Sequence, residues 1–395
     1  MKRISRLKTL FGVAVAMSLA FAPLLAASPD YDAVAANLVN EAAAVQPGEI
    51  VVIGGNPDQI DLMAAVQVAV AKAGGQSILT INIPAAGKRV VLETPMEYLS
   101  QLPTAGLLLG RIADVFINVA SVQQPGLFAD VPEERLAAVR QAASPLTSAL
   151  SAASVRNVTL GQTGGIPTPA YADNVGADHE SLVAMFWEAS AVSSSELAAR
   201  GKRVAGKLGP GKAVRMSSKE GTDLSFTVGP QPARINAGRT ADVVTGSGAA
   251  SVWLPAGEAY ATVASGSAAG TLVVPSMNFR GQLLEDLRMT FDGGRLVDLA
   301  VGEGNPKLLQ EFLAASSDQA KTLSVVDIGL NTKSRPAAGS RHLSWEMGGL
   351  VTLGLGNNAW AGGTNAAEGA ITFHVPEATL EVAGAPLVTG GRLAD

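Results

Sequence analysis

The chain has no cysteine among its 395 residues. Disulfides, thiolate metal sites, a cysteine nucleophile and a lipid-modified cysteine are therefore excluded. Histidine is scarce, with three residues, and neither an H-E-x-x-H pair nor a G-x-S-x-G elbow occurs. Two common hydrolase signatures are thus missing. Charged residues make up only 16% of the sequence, and no long Lys/Arg cluster appears. A nucleic-acid partner held through phosphates is not expected.

What is present begins with a targeting pattern. Lys2, Arg3, Arg6 and Lys8 precede an uncharged apolar run from Leu10 to Leu25, and Ala26-Ala27-Ser28 offers small residues. The run is short for a membrane span and lacks a stop-transfer pattern. It reads as a secretory signal peptide over 1–27, which leaves a periplasmic or secreted protein with no stable membrane anchor after cleavage. Removing four bases and no acid from 29 Lys/Arg against 34 Asp/Glu leaves a formal charge of about −9.

The first half alternates strand and helix signals. Ile50–Ile53 is a buried-strand run, and Asp58 opens a helix that continues to Lys72 and stops at Gly74-Gly75. Further strands are expected at 78–83, 114–119 and 157–160. Helices are expected at 32–45, at 132–153 with a break or kink at Pro145, and at 179–208. That order predicts an α/β N-terminal domain with a mostly parallel sheet over 28–208. Beyond Gly209-Pro210-Gly211 the pattern changes to short strands, a hairpin turn at Asp292-Gly293-Gly294 and one helix over 306–321. A β-rich α+β C-terminal domain is expected over 209–395.

Isolated motifs give little chemistry. Gly201-Lys202-Arg203-Val204-Ala205-Gly206-Lys207 has phosphate-loop spacing, but Leu208 replaces the magnesium-binding hydroxyl and the segment ends a helix. Gly354-Leu355-Gly356 reads as a tight turn. His179 reads as a solvated or capping residue, and His342 as an ordinary surface residue. His374 differs: alternation puts Ile371, Phe373 and Val375 on one strand face and Thr372 and His374 on the other. An imidazole there is either a solvent-face residue or a metal ligand or base.

Three stretches in fixed order carry a more specific signal. They are Phe186-Trp187-Glu188-Ala189 through Gly221-Thr222-Asp223, then Leu254-Pro255-Ala256-Gly257-Glu258-Ala259-Tyr260 through Gly270-Thr271, then Asp327-Ile328-Gly329-Leu330-Asn331 through Phe373-His374. Over about 185–384 the chain resembles the aminopeptidase T family of metallo-aminopeptidases. The resemblance implies peptide substrates, homodimers and a co-catalytic pair of divalent metals in the C-terminal domain. Glu258 matches a metal-binding glutamate, Asp327 stands where the family has Glu, and His374 matches a histidine ligand. Glu346 stands near the general-base carboxylate. Against these, Thr352 stands where the family has a histidine, Pro376 where it has an aspartate and Trp360 where it has a tyrosine. Three residual ligands suit one divalent metal (Zn, Co or Mn) or none better than two. Two readings stay open: a metallo-aminopeptidase, and a non-catalytic descendant acting as a periplasmic binding or structural protein.

Overall fold

The computed structural model describes residues 29–152, 154–243 and 250–394. The expected signal peptide, residues 1–27, lies outside them. The first layer is a five-stranded parallel sheet of β1 (Ile50–Gly55), β2 (Gln76–Ile81), β3 (Val115–Val119), β4 (Arg156–Leu160) and β8 (Ala250–Leu254), in the order β2-β1-β3-β4-β8. Interior β1 is a mostly buried apolar run, as expected within a parallel sheet, whereas β3 and β4 alternate buried with less buried residues. The helices before β4 are α1 (Tyr31–Ala36), α2 (Ile60–Lys72), α3 (Pro84–Glu93), α4 (Met96–Leu99), α5 (Thr104–Ile112) and α6 (Glu133–Ala152); α2 packs on β1 and β2, and α3, α4 and α5 pack on α6. They are followed by α7 (Pro169–Val175), α8 (His179–Ser190) and α9 (Ser194–Lys207).

Local chemistry explains several of these elements. In α2, Leu62, Met63, Val66 and Val70 form the buried stripe. The helix ends where Gly74 adopts φ +83° and the Gly75 amide bonds back to the Val70 carbonyl. Pro145 lies inside α6, which runs through it. The expected single helix over 179–208 is two, because Ser193 starts α9 afresh by accepting a bond from the Glu196 amide at 3.3 Å. Ser193→Ala should cost about 1 kcal/mol, read as a lower urea midpoint at unchanged slope.

The remaining strands build a sandwich. One sheet has eight antiparallel strands in the order β12-β11-β10-β6-β5-β16-β17-β18. These are β5 (Ala213–Ser217), β6 (Asp223–Thr227), β10 (Ala269–Phe279), β11 (Gln282–Asp292) and β12 (Arg295–Glu303), with β16 (Thr379–Val382), β17 (Ala385–Thr389) and β18 (Arg392–Leu393). The hairpin turn expected at Asp292-Gly293-Gly294 joins β11 to β12. The third sheet has the order β15-β14-β13-β9-β7, from β7 (Arg234–Asn236), β9 (Glu258–Thr262), β13 (Leu323–Gly329), β14 (Val351–Gly356) and β15 (Ala370–Val375). One helix, α10 (Lys307–Ala315), is shorter than the 306–321 expected, and a separate 3-10 turn covers Gln319–Lys321. Gly354 to Gly356 belongs to β14 and is not the tight turn expected; the glycines sit in a fully buried strand.

Alternation in the third sheet decides where the site is. Ala259, Ala261, Val326, Ile328, Val351, Leu353, Ile371, Phe373 and Val375 join the core shared with the eight-stranded sheet. The intervening residues, including Glu258, Tyr260, Asp327, Thr352 and His374, therefore occupy the opposite face. That face is covered as well, since every residue of β9, β13 and β14 is buried. The second half of the chain also contributes β8 to the parallel sheet, so β8 and β9 lie in different sheets and are separated only by residues 255–257.

Candidate functional site

A single short turn delivers Glu258 to this face. After the cis Leu254–Pro255 peptide the chain passes through Gly257 at φ +128°. A Cβ on Gly257 would sit 2.8 Å from Asn331 Cβ and 3.0 Å from the Asn331 nitrogen, so only glycine fits both the conformation and the space. Buried Asn331 locks the turn: its amide donates to the Ala189 carbonyl at 2.9 Å and the Ala256 carbonyl at 2.8 Å. The glycine and asparagine of two distant sequence stretches are thus one structural device.

Strand register places the other candidates. Asp327 pairs with Tyr260 on one side and with Thr352 on the other, and Thr352 pairs with His374. The row across the sheet is Tyr260, Asp327, Thr352, His374. Asp327 and His374 are two strands apart, roughly 10 Å. The Thr352 hydroxyl lies 2.8 Å from His374 Nδ1 and occupies that nitrogen. Glu258 is diagonal to Asp327, and Glu346 reaches the cluster from the loop after β13, where the Asn331 amide bonds the Glu346 carbonyl at 2.8 Å.

The structure brings Glu258, Asp327 and Glu346 into one buried acidic cluster; it does not bring His374 to it. Burial first, then the nearby Glu346 charge, pushes the Glu258 carboxyl up to about 8, against bonds from Gln162 and Asn236 that favour its ionised form. Asp327 is raised well above the usual carboxylate range by burial, then by Glu258 and Glu346. Glu346 is raised by burial while hydrogen bonds from Ser344 and Ser334 resist it. His374 is pushed down to about 4 by burial and by the neighbouring His342. His342 is not the surface residue expected. It is buried, 2.9 Å from the Tyr171 hydroxyl, and its imidazole is lowered to about 4 by burial. His179 begins α8, and its Nε2 lies 3.3 Å from the Pro167 carbonyl.

The donor chemistry can be set against a divalent metal pair. In favour, both oxygens of Asp327 are buried without a hydrogen-bond partner. Such atoms call for a partner. Against it, Glu346 is engaged by the hydroxyls of Ser334 and Ser344, Glu258 by the amides of Gln162 and Asn236, and His374 by Thr352. Pro376 has no donor to offer, and Trp360 donates its indole N–H to the Asn357 carbonyl at 3.2 Å. Among the described residues no group of three or more His, Asp or Glu side chains is disposed to hold a metal ion. The residues present do not fit a two-metal centre.

The cluster borders a cavity of about 330 Å³, lined by Gln162, Trp253, Glu258, Trp345, Trp360 and Thr372 among others. Gln162 lies two residues after β4, so the cavity opens where the carboxyl end of the parallel sheet meets the third sheet, a common place for ligands in α/β folds. Sequence reasoning missed Gln162, Trp253 and Trp345. The signal that could have found the last two was tryptophan itself, since the chain has only four.

Comparison with known proteins gives two kinds of finding. A family model described as thermophilic metalloprotease (M29) matches residues 28–336. The matched span contains Glu258 and Asp327 and ends before Glu346, Thr352 and His374. No curated protein matches. Among solved structures, wild-type AmpT from Thermus thermophilus aligns at a TM-score of 0.66 and 15% identity, over 92% of this chain and 99% of that one. The 2,5-dihydroxypyridine dioxygenase from Pseudomonas putida KT2440 aligns at 0.57 and 14%, over 92% and 96%. At these identities both show the fold, and one fold can carry several chemistries.

Proposed function

Because the chain belongs to the thermophilic metalloprotease (M29) family, a family of metal-dependent peptidases, we propose that it is a member turned to binding: it keeps the peptidase fold and the acidic cleft without the metal pair that cleaves peptides. One observation carries this reading. The three side chains that the resemblance marks as remaining ligands are divided, with Glu258 and Asp327 in the acidic cluster and His374 tied to Thr352 two strands away. Polarising a peptide carbonyl and generating hydroxide near neutral pH needs a metal held by several converging donors.

The unbonded carboxylate oxygens of Asp327 favour a second reading, a secreted metallo-aminopeptidase working with one divalent ion. Metal analysis and kinetics separate the two. Mature untagged protein incubated with Zn, Co or Mn should hold well under one metal per chain and show no metal-dependent release of N-terminal residues across an aminoacyl-substrate panel. About one metal per chain that disappears in Glu258→Ala, together with hydrolysis, would establish the peptidase reading.

Export to the periplasm or medium is part of the proposal and rests on the basic-then-apolar pattern of residues 2–25. No helix among the described residues is long and apolar enough to cross a membrane. Self-association is proposed from the resemblance and from the exposed Ile81, Ile83, Val90, Leu92, Leu108 and Ile112 on and after β2.

A further inference from the structure

We propose that the tryptophan-lined cavity beside Glu258 is a binding site for a small methylated ammonium ion. Three of the four tryptophans in the chain line this one cavity. Trp360 stands nearly perpendicular to both of the others: its ring centroid is 5.5 Å from that of Trp253 at 81° and 6.0 Å from that of Trp345 at 84°. Each of the three is only partly buried, although all belong to a buried region.

The polar part of the lining has one sign. Glu258 is 2% exposed and contributes a carboxyl group, whose ionised form a cation bound beside it would favour. Gln162 donates to its Oε1, and Asn236 donates to its Oε2 at 3.4 Å. The other polar side chains are threonine hydroxyls, and no Lys, Arg or His is among the lining residues. Aromatic faces are negative and attract a cation, with tryptophan the best.

This composition selects among ligand classes. A divalent metal finds no donors on indole rings. An uncharged apolar ligand offers Glu258 no opposite charge. A primary ammonium brings three N–H groups that ring faces satisfy poorly. A methylated ammonium has no such donors, gives its methyl groups to the rings and its charge to Glu258, and is the guest that aromatic cages take. The cavity, about 330 Å³, lies at the small end of ligand sites. The assignment rests on the binding reading above and names its ligand class.

Choline is the probe, and 3,3-dimethylbutan-1-ol, which has the same shape without the charge, is the control. Both are titrated into the full mature chain with tryptophan fluorescence and calorimetry as readouts. Choline should saturate one site per chain, roughly tenfold or more tighter than the alcohol. Glu258→Gln and Trp360→Leu should each weaken choline by about tenfold or more. Trp345→Phe, which keeps an aromatic face and disturbs packing least, should weaken it by a smaller factor. Equal affinity for the alcohol, no saturation by about 10 mM choline, or unchanged affinity in folded Trp345→Phe and Trp360→Leu would overturn the assignment. A chain that hydrolyses peptides and binds choline refutes only the non-catalytic reading; one that does neither refutes only the cage.

Discussion

Gly329→Ala should destabilise the protein by about 3 kcal/mol or more and displace the site loop with it. A Cβ at Gly329 would lie 2.0 Å from the Met347 carbonyl oxygen and 2.6 Å from that of Trp345. Both obstacles are backbone, so no side chain can rotate away. The same loop is stitched to Gly329 by two bonds: the Gly329 amide to the Leu350 carbonyl at 3.0 Å, and the Gly349 amide to the Gly329 carbonyl at 2.8 Å. Relief can come only by lifting residues 345–350, which carry Trp345 and Glu346. Urea unfolding should show the loss in stability, and near-UV circular dichroism should show altered tryptophan signals in whatever remains folded. Gly206→Ala is the control, since a Cβ there meets nothing within 4 Å. On α9 it should be neutral or stabilising by about 0.5–1 kcal/mol. Equal effects at the two positions would refute the account of Gly329.

Chelator-treated protein should lose stability as pH rises from about 7 to 8.5. Glu258 and Asp327 have folded-state pKa values above their unfolded ones. In this window the unfolded chain has released protons that the folded chain still holds, so the slope of stability with pH is negative. With Glu258 raised to about 8, its part of the loss is about 1 kcal/mol, and Asp327 adds to it. On the acid side His342 and His374 act the other way. Both are lowered to about 4; they are neutral when folded and charged when unfolded, so their part of the stability falls as pH drops from about 6.5 towards 4, against the gain from Glu258 and Asp327 over the same range. Glu258→Gln should flatten the alkaline limb. Asp327→Val should raise stability by about 1–3 kcal/mol, because it replaces an unpartnered buried acid by an apolar side chain suited to a strand. A thermal melt series from pH 4 to 9 tests both limbs. A fall in stability with Asp327→Val would show that the acid has a partner that stabilises the fold.

Much of the architecture was legible because its signals are local. Ile50–Ile53, the glycine stop after Lys72 and the turn at Asp292-Gly293-Gly294 each depend on neighbours within a few residues, and β1, α2 and the β11–β12 hairpin formed there. The segment 84–112 was not legible. Pro84, Pro95 and Pro103 each introduce a separate short helix, α3, α4 and α5. Apolar Val90, Leu92, Leu108 and Ile112 are exposed there, so hydrophobic periodicity misleads. In the site, alternation placed His374 on the face opposite the core. It could not show that Thr352 would come between His374 and Asp327, because cross-strand register is a long-range fact. His342 looked like a surface residue for the same reason: its partner, Tyr171, is 171 positions away. The three tryptophans meet only once β8, the loop after β13 and the loop after β14 are assembled.

The return of β8 to the first sheet sets an order on how the molecule can be made. On an emerging chain, β1 to β4 are available early, but their fifth partner follows β4 by about ninety residues. Until then the outer edge of β4 is an open row of amides and carbonyls, a place where another chain can pair. After only three intervening residues the chain starts β9 in the sandwich, with Glu258 as its first residue. Closing the parallel sheet and delivering the site carboxylate are therefore nearly the same event. The folding step that seals the open edge also installs the residue on which the proposed binding depends.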